Sequence, residues 1–392
     1  MSHPRARLSS VALIFTALFV LPAGPALGES VMIKRKYVSG RTSYIENQVE
    51  LVQDISGLPM PALKLQSDQL YGLWERVESS TKDKTKIVLT YDRAARKVNA
   101  PMMGDVEFDT DDPEYEEAAP QLGTVLKPMI GMAMTMEVDK DGKVISFSGM
   151  DAVNERVSKL AIASMHWEQM KEEFTDERGK ETWGTQPLLI YPNKKVKKGD
   201  TWKASSFRVR PRIGTIVTDY QYKFDRIGKE NGRKIAVISY TAKVSLRPDA
   251  EKTPDAEAEG AKKKAASSDK PDKKDTKQEG SEKKEEAKDA EPDAEVSGSM
   301  SGMATYDVKL GRIVKRNIEG KVDIKVPLSK VMPNVPTGDE PKLATFKITI
   351  KSATSILSEE DRNKQKAEAR KKAELRRKAE EEEEEEEEED DD

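Results

Sequence analysis

Residues 129–149 read MIGMAMTMEVDKDGKVISFSG, two alternating apolar runs joined by a polar turn. Successive side chains of an extended chain point to opposite sides. Met132, Met134, Met136 and Val138 therefore share one face, and Ala133, Thr135 and Glu137 the other. Asp139-Lys140-Asp141-Gly142-Lys143 supplies the turn, with Gly142 free to take a positive φ. Ile145 and Phe147 resume the apolar face before Ser148-Gly149 ends the strand. Apolar spacing of two, where a helix needs three and four, makes this a β-hairpin.

Working outward, the same period recurs on both sides. Val31–Val38 and Tyr44–Ile55 read as strands joined through Ser39-Gly40-Arg41, and Leu63–Val77 and Thr85–Tyr91 as a second pair. Asp105–Glu117 reads as an acidic loop and Pro120–Met129 as a short helix. After the hairpin the period changes. Met150, Val153, Val157, Leu160 and Ala161 lie at helical spacing, and Trp167, Met170 and Phe174 continue an amphipathic segment that ends around Arg178-Gly179. Beyond the Lys198-Gly199-Asp200 turn, alternation returns. Tyr220, Tyr222 and Phe224 line one strand face, and Ile238, Tyr240, Val244 and Leu246 line that of the next, with a turn at 228–232. Val322, Ile324 and Val326, then Phe346, Ile348 and Ile350, repeat the pattern near the end.

Residues 249–295 contain no aromatic or branched aliphatic side chain. Such a segment cannot bury enough apolar area to offset ordering entropy, so a disordered insert is expected. Residues 29–248 and 296–357 are expected to form one β-rich domain around it, a separate closing domain having too few apolar residues for its own core. Ser358 is a helix N-cap with Asp361 in the capping-box position. The helix of residues 358–380 has charged residues on all faces and is expected to stand isolated in solvent. The acidic run 381–392 opposes the helix dipole and is expected to fray into a disordered tail.

Residues 1–28 have the pattern of an export signal: Arg5 and Arg7, an apolar run Val11–Leu21, and a small-residue cleavage site at Ala26-Leu27-Gly28. The apolar run is shorter than the ~20 residues of a spanning helix, and an uncleaved anchor is the weaker reading. A periplasmic or secreted protein with no transmembrane span after cleavage is expected. The absence of cysteine excludes an N-terminal lipid anchor on cysteine, disulfides and thiolate chemistry. The formal net charge of −4 hides a mildly basic body with acidic appendages, which does not favour nucleic acid as a partner.

Three sets of residues together resemble an uncharacterised family of exported bacterial proteins, a domain of unknown function. They are Val138-Asp139 with Gly142-Lys143-Val144, Lys198-Gly199-Asp200-Thr201-Trp202, and Gly302-Met303-Ala304-Thr305-Tyr306-Asp307 with Gly311-Arg312. The likeness covers most of Val31–Leu357 outside the insert. It implies a β-rich fold similar to the half-barrels of periplasmic lipoprotein carriers, and it brings no activity with it. The first and third sets, read on to Ile313, share one pattern, apolar–Asp–short spacer–Gly–basic–apolar, a weak sign of two related halves.

No catalytic, cofactor or metal motif stands out. His3 leaves with the signal, and His166 lies beside Trp167 on a helical segment, where packing is the ordinary role. Asp139-Lys140-Asp141-Gly142 lacks the remaining ligands of a calcium loop. Met132, Met134 and Met136, with Met102, Met103 and Met129 nearby, read first as core, then as the lining of an apolar ligand cavity, and last as a copper(I) site. Tyr220, Tyr222 and Phe224 read likewise, core before ligand wall. The expected protein is α+β: one curved antiparallel sheet of about ten strands, an open half-barrel in form, with helices on one face. A non-enzymatic carrier of an apolar or lipid-like ligand, without cofactor, is the leading expectation. An envelope protein engaging a protein partner is the rival, and an enzyme ranks third.

Overall fold

The computed structural model describes residues 29–100, 104–112, 126–158, 171, 175–210, 213–247, 294–332 and 343–390. The export segment, Met102, Met103, His166, Trp167, Met170, Phe174 and residues 249–293 of the insert lie outside them. The first wing of strands comprises β1 (Val31–Ile33), β2 (Thr42–Ser56), β3 (Leu63–Ser80), β4 (Lys84–Ala100), β5 (Gly104–Asp109), β6 (Ala133–Asp139) and β7 (Val144–Ser148). The second comprises β8 (Lys194–Val196), β9 (Thr201–Arg210), β10 (Gly214–Glu230), β11 (Arg233–Arg247), β12 (Glu295–Asp307), β13 (Arg312–Pro327) and β14 (Leu343–Leu357). Helices are α1 (Met150–Ser158), α2 (Asp176–Gly179), α3 (Gln186–Leu188), α4 (Leu328–Val331) and α5 (Glu359–Asp390).

Twelve strands form one antiparallel sheet that does not close, in the order β7-β6-β4-β3-β2-β14-β13-β12-β11-β10-β9 with β5 beside β4. The last strand of the chain, β14, pairs with β2 from Leu357 opposite Tyr44 to Thr345 opposite Ser56. That ladder joins the two wings in the middle of the sheet. Across the insert, β11 pairs directly with β12, Ser245 opposite Ser297. The strands before and after the insert thus belong to one sheet.

The 129–149 hairpin is present, with Gly142 at φ 87° and the Asp139 carboxylate accepting from the Asp141 and Lys143 amides. The second set of turn residues behaves alike: the Asp307 carboxylate accepts from the Leu310 amide, and Gly311 has φ 68°. A side-chain acceptor that holds the turn amides, followed by a residue at positive φ, is the physical content of the shared pattern.

Several expectations are corrected. β1 does not pair with β2. It forms a separate two-stranded ribbon with β8, because residues 34–41 are drawn instead to the 307–312 turn, where the Lys36 amide donates to the Gly311 carbonyl at 2.8 Å. The start of the expected acidic loop is strand β5, its acidic side chains tied by Arg93 to Asp109 and by Lys97 to Glu107. Ile145 points out, since a bulge between Glu137 and Val138 puts Val144 in the inner position. Of the expected helix at 120–129, the described part is a single 3₁₀ turn, Lys127–Met129. Helical structure does not end at Gly179. It continues through a π-helical turn, Lys180–Thr185, into α3.

Two cores occupy one end of the inner face. One holds Leu73, Ile87, Leu89, Met134, Met136 and Val138 beneath Met150 and Val153 of α1. The other holds Tyr220, Tyr222, Phe224, Ile238 and Tyr306 beneath Val31, Ile33 and Ile190. Leu188 touches both. The N-terminal segment fastens the wings together. Arg35 and Arg312 flank the buried Glu75 carboxylate, Arg312 at 3.1 Å, and the Tyr306 hydroxyl donates to the Lys34 carbonyl at 2.8 Å.

The C-terminal helix is present but is not solvated on all faces as expected. Arg362 is 1 % exposed, and its guanidinium donates two hydrogen bonds to Asp111 and one to Asp92 while lying 4.9 Å over the Tyr44 ring. Arg376, about four turns farther along the helix, pairs with Asp112. Burial alone would push the Arg362 guanidinium down; the hydrogen bonds to Asp111 and Asp92, together with the charge of Asp111 and the Tyr44 phenol, outweigh it and hold the group above the ordinary arginine value. The capping box is formed: Ser358 Oγ accepts from the Asp361 amide at 3.1 Å, and the Ser358 amide donates back to the Asp361 carboxylate. Nor does the acidic run fray at 380. The helix runs on to Asp390, because a helix already nucleated and docked propagates through glutamate, a good helix former.

Candidate functional site

The sheet carries its site on the face between the two wings, and strand register shows how. Residues directly opposite across a ladder share a face. From Tyr240 on β11 one such row runs through Gly302, Ile318 and Ser352. It continues from Val49 through Gln69 and Arg96 to Phe108 on β5. All eight border a single trough of about 1010 Å³. Laid flat, seven strand steps would put the two ends roughly 34 Å apart. For both ends to border one cavity the sheet must be strongly curved, with this row on the concave side.

Burial confirms the sidedness. The row's members are buried or half-buried, whereas most residues one position along, including Ser301, Glu319, Lys351, Glu50 and Lys97, are exposed. Those outer positions form a charge ladder, with Lys351 3.3 Å from Glu50. Farther along the inner face come Met300, Ile350, Leu51 and Val98, and beyond them Ile324, Phe346, Ile55 and Leu63. The concave side is thus a broad apolar surface, and the convex side behind the trough is charged, with α5 covering it at Tyr44.

Two features let the sheet bend here. Gly302 sits beneath the Tyr240 ring; a Cβ built on it would overlap the Asn317 carbonyl and lie 2.6 Å from the Tyr240 hydroxyl. An aromatic side chain laid over a strand glycine replaces the packing that glycine lacks and leaves the backbone free to curve. The Tyr240 hydroxyl also donates to the Asn317 carbonyl at 2.7 Å, and the Arg316 guanidinium lies 5.1 Å over its ring. Burial pushes the Tyr240 and Tyr222 phenols up, so both stay protonated throughout the physiological range.

The residues singled out from sequence lie elsewhere. Met134 and Met136 are sealed in the first core, with Met132 half-buried at its edge; Tyr220, Tyr222 and Phe224 are sealed in the second. The Tyr220 and Tyr222 rings stack with centroids 5.7 Å apart, and Tyr222 also stacks on Trp202. The structure does not bring the methionines and the aromatics together, and none of the six borders the trough. Sequence reading missed Val49, Ile318 and Arg96. Their signal was the period of two itself, present in 49–51 and 318–324, but nothing local says which alternating run will be covered and which left open.

The family match comes from sequence. A model described as "Family of unknown function (DUF6263)" matches residues 82–313, more than half of the chain and both sides of the insert. The chain belongs to this family. As the turn residues implied, DUF6263 is a family without an assigned function. No curated protein matches this DUF6263 chain in sequence. Among solved structures, one of lipovitellin, titled for its lipid–protein interactions, is 8 % identical with a TM-score of 0.38, over 82 % of this chain. The match spans only 26 % of that chain. An outer membrane channel from Pseudomonas putida F1 is 6 % identical with a TM-score of 0.21, over 83 % of this chain and 98 % of that one. The β domain of a Bordetella autotransporter is 7 % identical with a TM-score of 0.20, over 80 % and 98 %. Among the described residues no helix is long and apolar enough to cross a membrane.

Proposed function

We propose that this DUF6263 protein is an exported, non-enzymatic carrier that holds an apolar, lipid-like ligand in the trough on its concave face. One observation carries the reading: a cavity of about 1010 Å³ floored by one face of eight strands, with the half-buried aliphatic side chains of Val49 and Ile318 between the buried rings of Tyr240 and Phe108. Ligand pockets are concave, mostly apolar and of this order of size. Apolar surface that folding leaves half-exposed gains free energy when an apolar ligand covers it. The export pattern of residues 1–28 supports a role outside the cytoplasm, in the periplasm or beyond.

The rival reading, an envelope module that engages a protein partner, draws on the two free edges of the open sheet at β7 and β9. Edge β9 carries Lys203, Arg208 and Arg210, and charges along an edge discourage strand addition. The trough therefore weighs more. Native mass spectrometry of protein purified from its own host tests the reading. A bound lipid-like adduct that is lost on denaturation is expected. No adduct, together with no saturable uptake of an apolar fluorescent probe, would leave the partner reading in its place.

A further inference from the structure

The trough's polar groups say what kind of apolar ligand it suits. Three adjacent rows on the concave face contain two cations, Arg96 and Arg316, and no carboxylate. The acidic residues that border the trough, Glu50, Asp68, Glu107, Asp109 and Glu319, all occupy outward register positions. Arg316 is engaged by Tyr240, whose hydroxyl accepts from its Nε at 3.1 Å and whose ring it covers. Arg96 is different. It is half-buried in the central row, and its Nε donates to Ser67 Oγ at a long 3.4 Å. No carboxylate pairs with it among the described residues.

Four arginines buried elsewhere in the molecule are each matched by an acid. Arg35 and Arg312 share Glu75, Arg93 has Asp109 and Asp111, and Arg362 has Asp92 and Asp111. A cation left unmatched in apolar surroundings is costly, because burial removes water without supplying a counter-charge. A guanidinium also presents its donors as a planar fork that fits a carboxylate or a phosphate at two points. Ser67 and Gln69 stand beside it, the Gln69 amide donating to Ser67 Oγ at 3.3 Å while its carbonyl accepts from Tyr71.

We infer that the trough takes an amphiphile with one anionic head group, a carboxylate or phosphate monoester on an aliphatic chain, and that Arg96 holds the head while the chain lies along Val49, Ile318 and Ile350. The inference rests on the carrier reading and narrows it. The test measures binding of palmitate, hexadecyl phosphate and hexadecanol to the full chain and to Arg96→Met and Arg96→Lys.

The wild type is expected to bind both anions more tightly than the alcohol. Arg96→Met should weaken the anions about 10- to 100-fold, the scale of a lost charged hydrogen-bond pair, and leave hexadecanol unchanged. Arg96→Lys keeps the charge without the fork and should fall between, which also guards against a folding defect in the methionine variant. Whichever anion loses more in Arg96→Met identifies the head group. Equal binding of all three probes by wild type and both variants overturns the inference while the carrier reading stands. Anion preference that survives in Arg96→Met moves the contact to another residue and overturns the assignment to Arg96. Wild-type protein that binds none of the three removes both readings.

Discussion

Replacing Arg362 by alanine would leave Asp111, whose side chain is 2 % exposed, buried without its two-point partner. Breaking one side of a buried ion pair costs roughly 3–5 kcal/mol. α5 has few other contacts with the sheet, so the loss should fall on its docking. Limited trypsin digestion of Arg362→Ala is expected to cut rapidly within 364–378 while the sheet resists; digestion matching wild type would mean that the helix is held by other contacts. Glu75 gives a pH prediction. Burial pushes its carboxyl up, but the charges of Arg35 and Arg312 outweigh burial and hold it below the usual carboxylate value of about 4.3. A folded value below the unfolded one contributes stability fully above the unfolded value, and that contribution is lost as pH falls through the folded one. Wild type should therefore exceed Glu75→Gln in stability at neutral pH, with the gap in urea unfolding closing below about pH 4. A gap that stays constant with pH would assign the effect to packing. Neither residue was legible in the sequence, since an arginine on a polar helix and a glutamate in an alternating strand both look solvated until their partners arrive from 251 and 237 residues away.

At the scale of the element, the curvature of β12 against β13 depends on a glycine that cannot accept a side chain. Gly302→Ala is expected to destabilise by about 1–3 kcal/mol, the usual cost of overpacking, because the added carbon meets the Asn317 carbonyl, which is backbone and cannot rotate away. Chemical denaturation measures this, and an unchanged midpoint would show that the ladder can shift to accommodate it. The strands themselves were largely readable: β3, β4, β6, β10, β11, β13 and β14 all fall on runs of period two. What local sequence misassigned were the elements whose state depends on a distant partner. β1 pairs with β8 across more than 160 residues of chain, and β5 is a strand because β4 extends to meet it. The π-helical turn after α2 likewise lies in tight packing, a Cβ on Gly184 coming within 3.1 Å of the Val144 side chain and 3.3 Å of Met136 Sδ.

The whole molecule is organised by the β2–β14 ladder, which brings the two ends of the folded chain together at the centre of the sheet and leaves the insert at a hairpin end. Ser245 faces Ser297 in register, so the strands on either side need only a short connection. Replacing residues 248–294 by a short Gly/Ser loop is expected to preserve the fold. Shorter loop closure should add no more than roughly 2 kcal/mol of stability, since its cost grows only with the logarithm of length. Thermal unfolding measures this. A variant that fails to fold would assign the insert a structural role.

The sequence by itself determined the period of two, the hairpin turns at Gly142 and Gly311, the charge of the appendages and the family likeness, because each depends on residues close together in the chain. Only the tertiary structure decided which alternating faces would be sealed and which left open. Met134 and Ile318 carry the same local signature, yet the one lies in a core with Val153 of α1, and the other faces a trough. The order of strands across the sheet set that difference. Lateral order is fixed by pairings between residues as far apart in the chain as Tyr44 and Leu357, which no local pattern encodes.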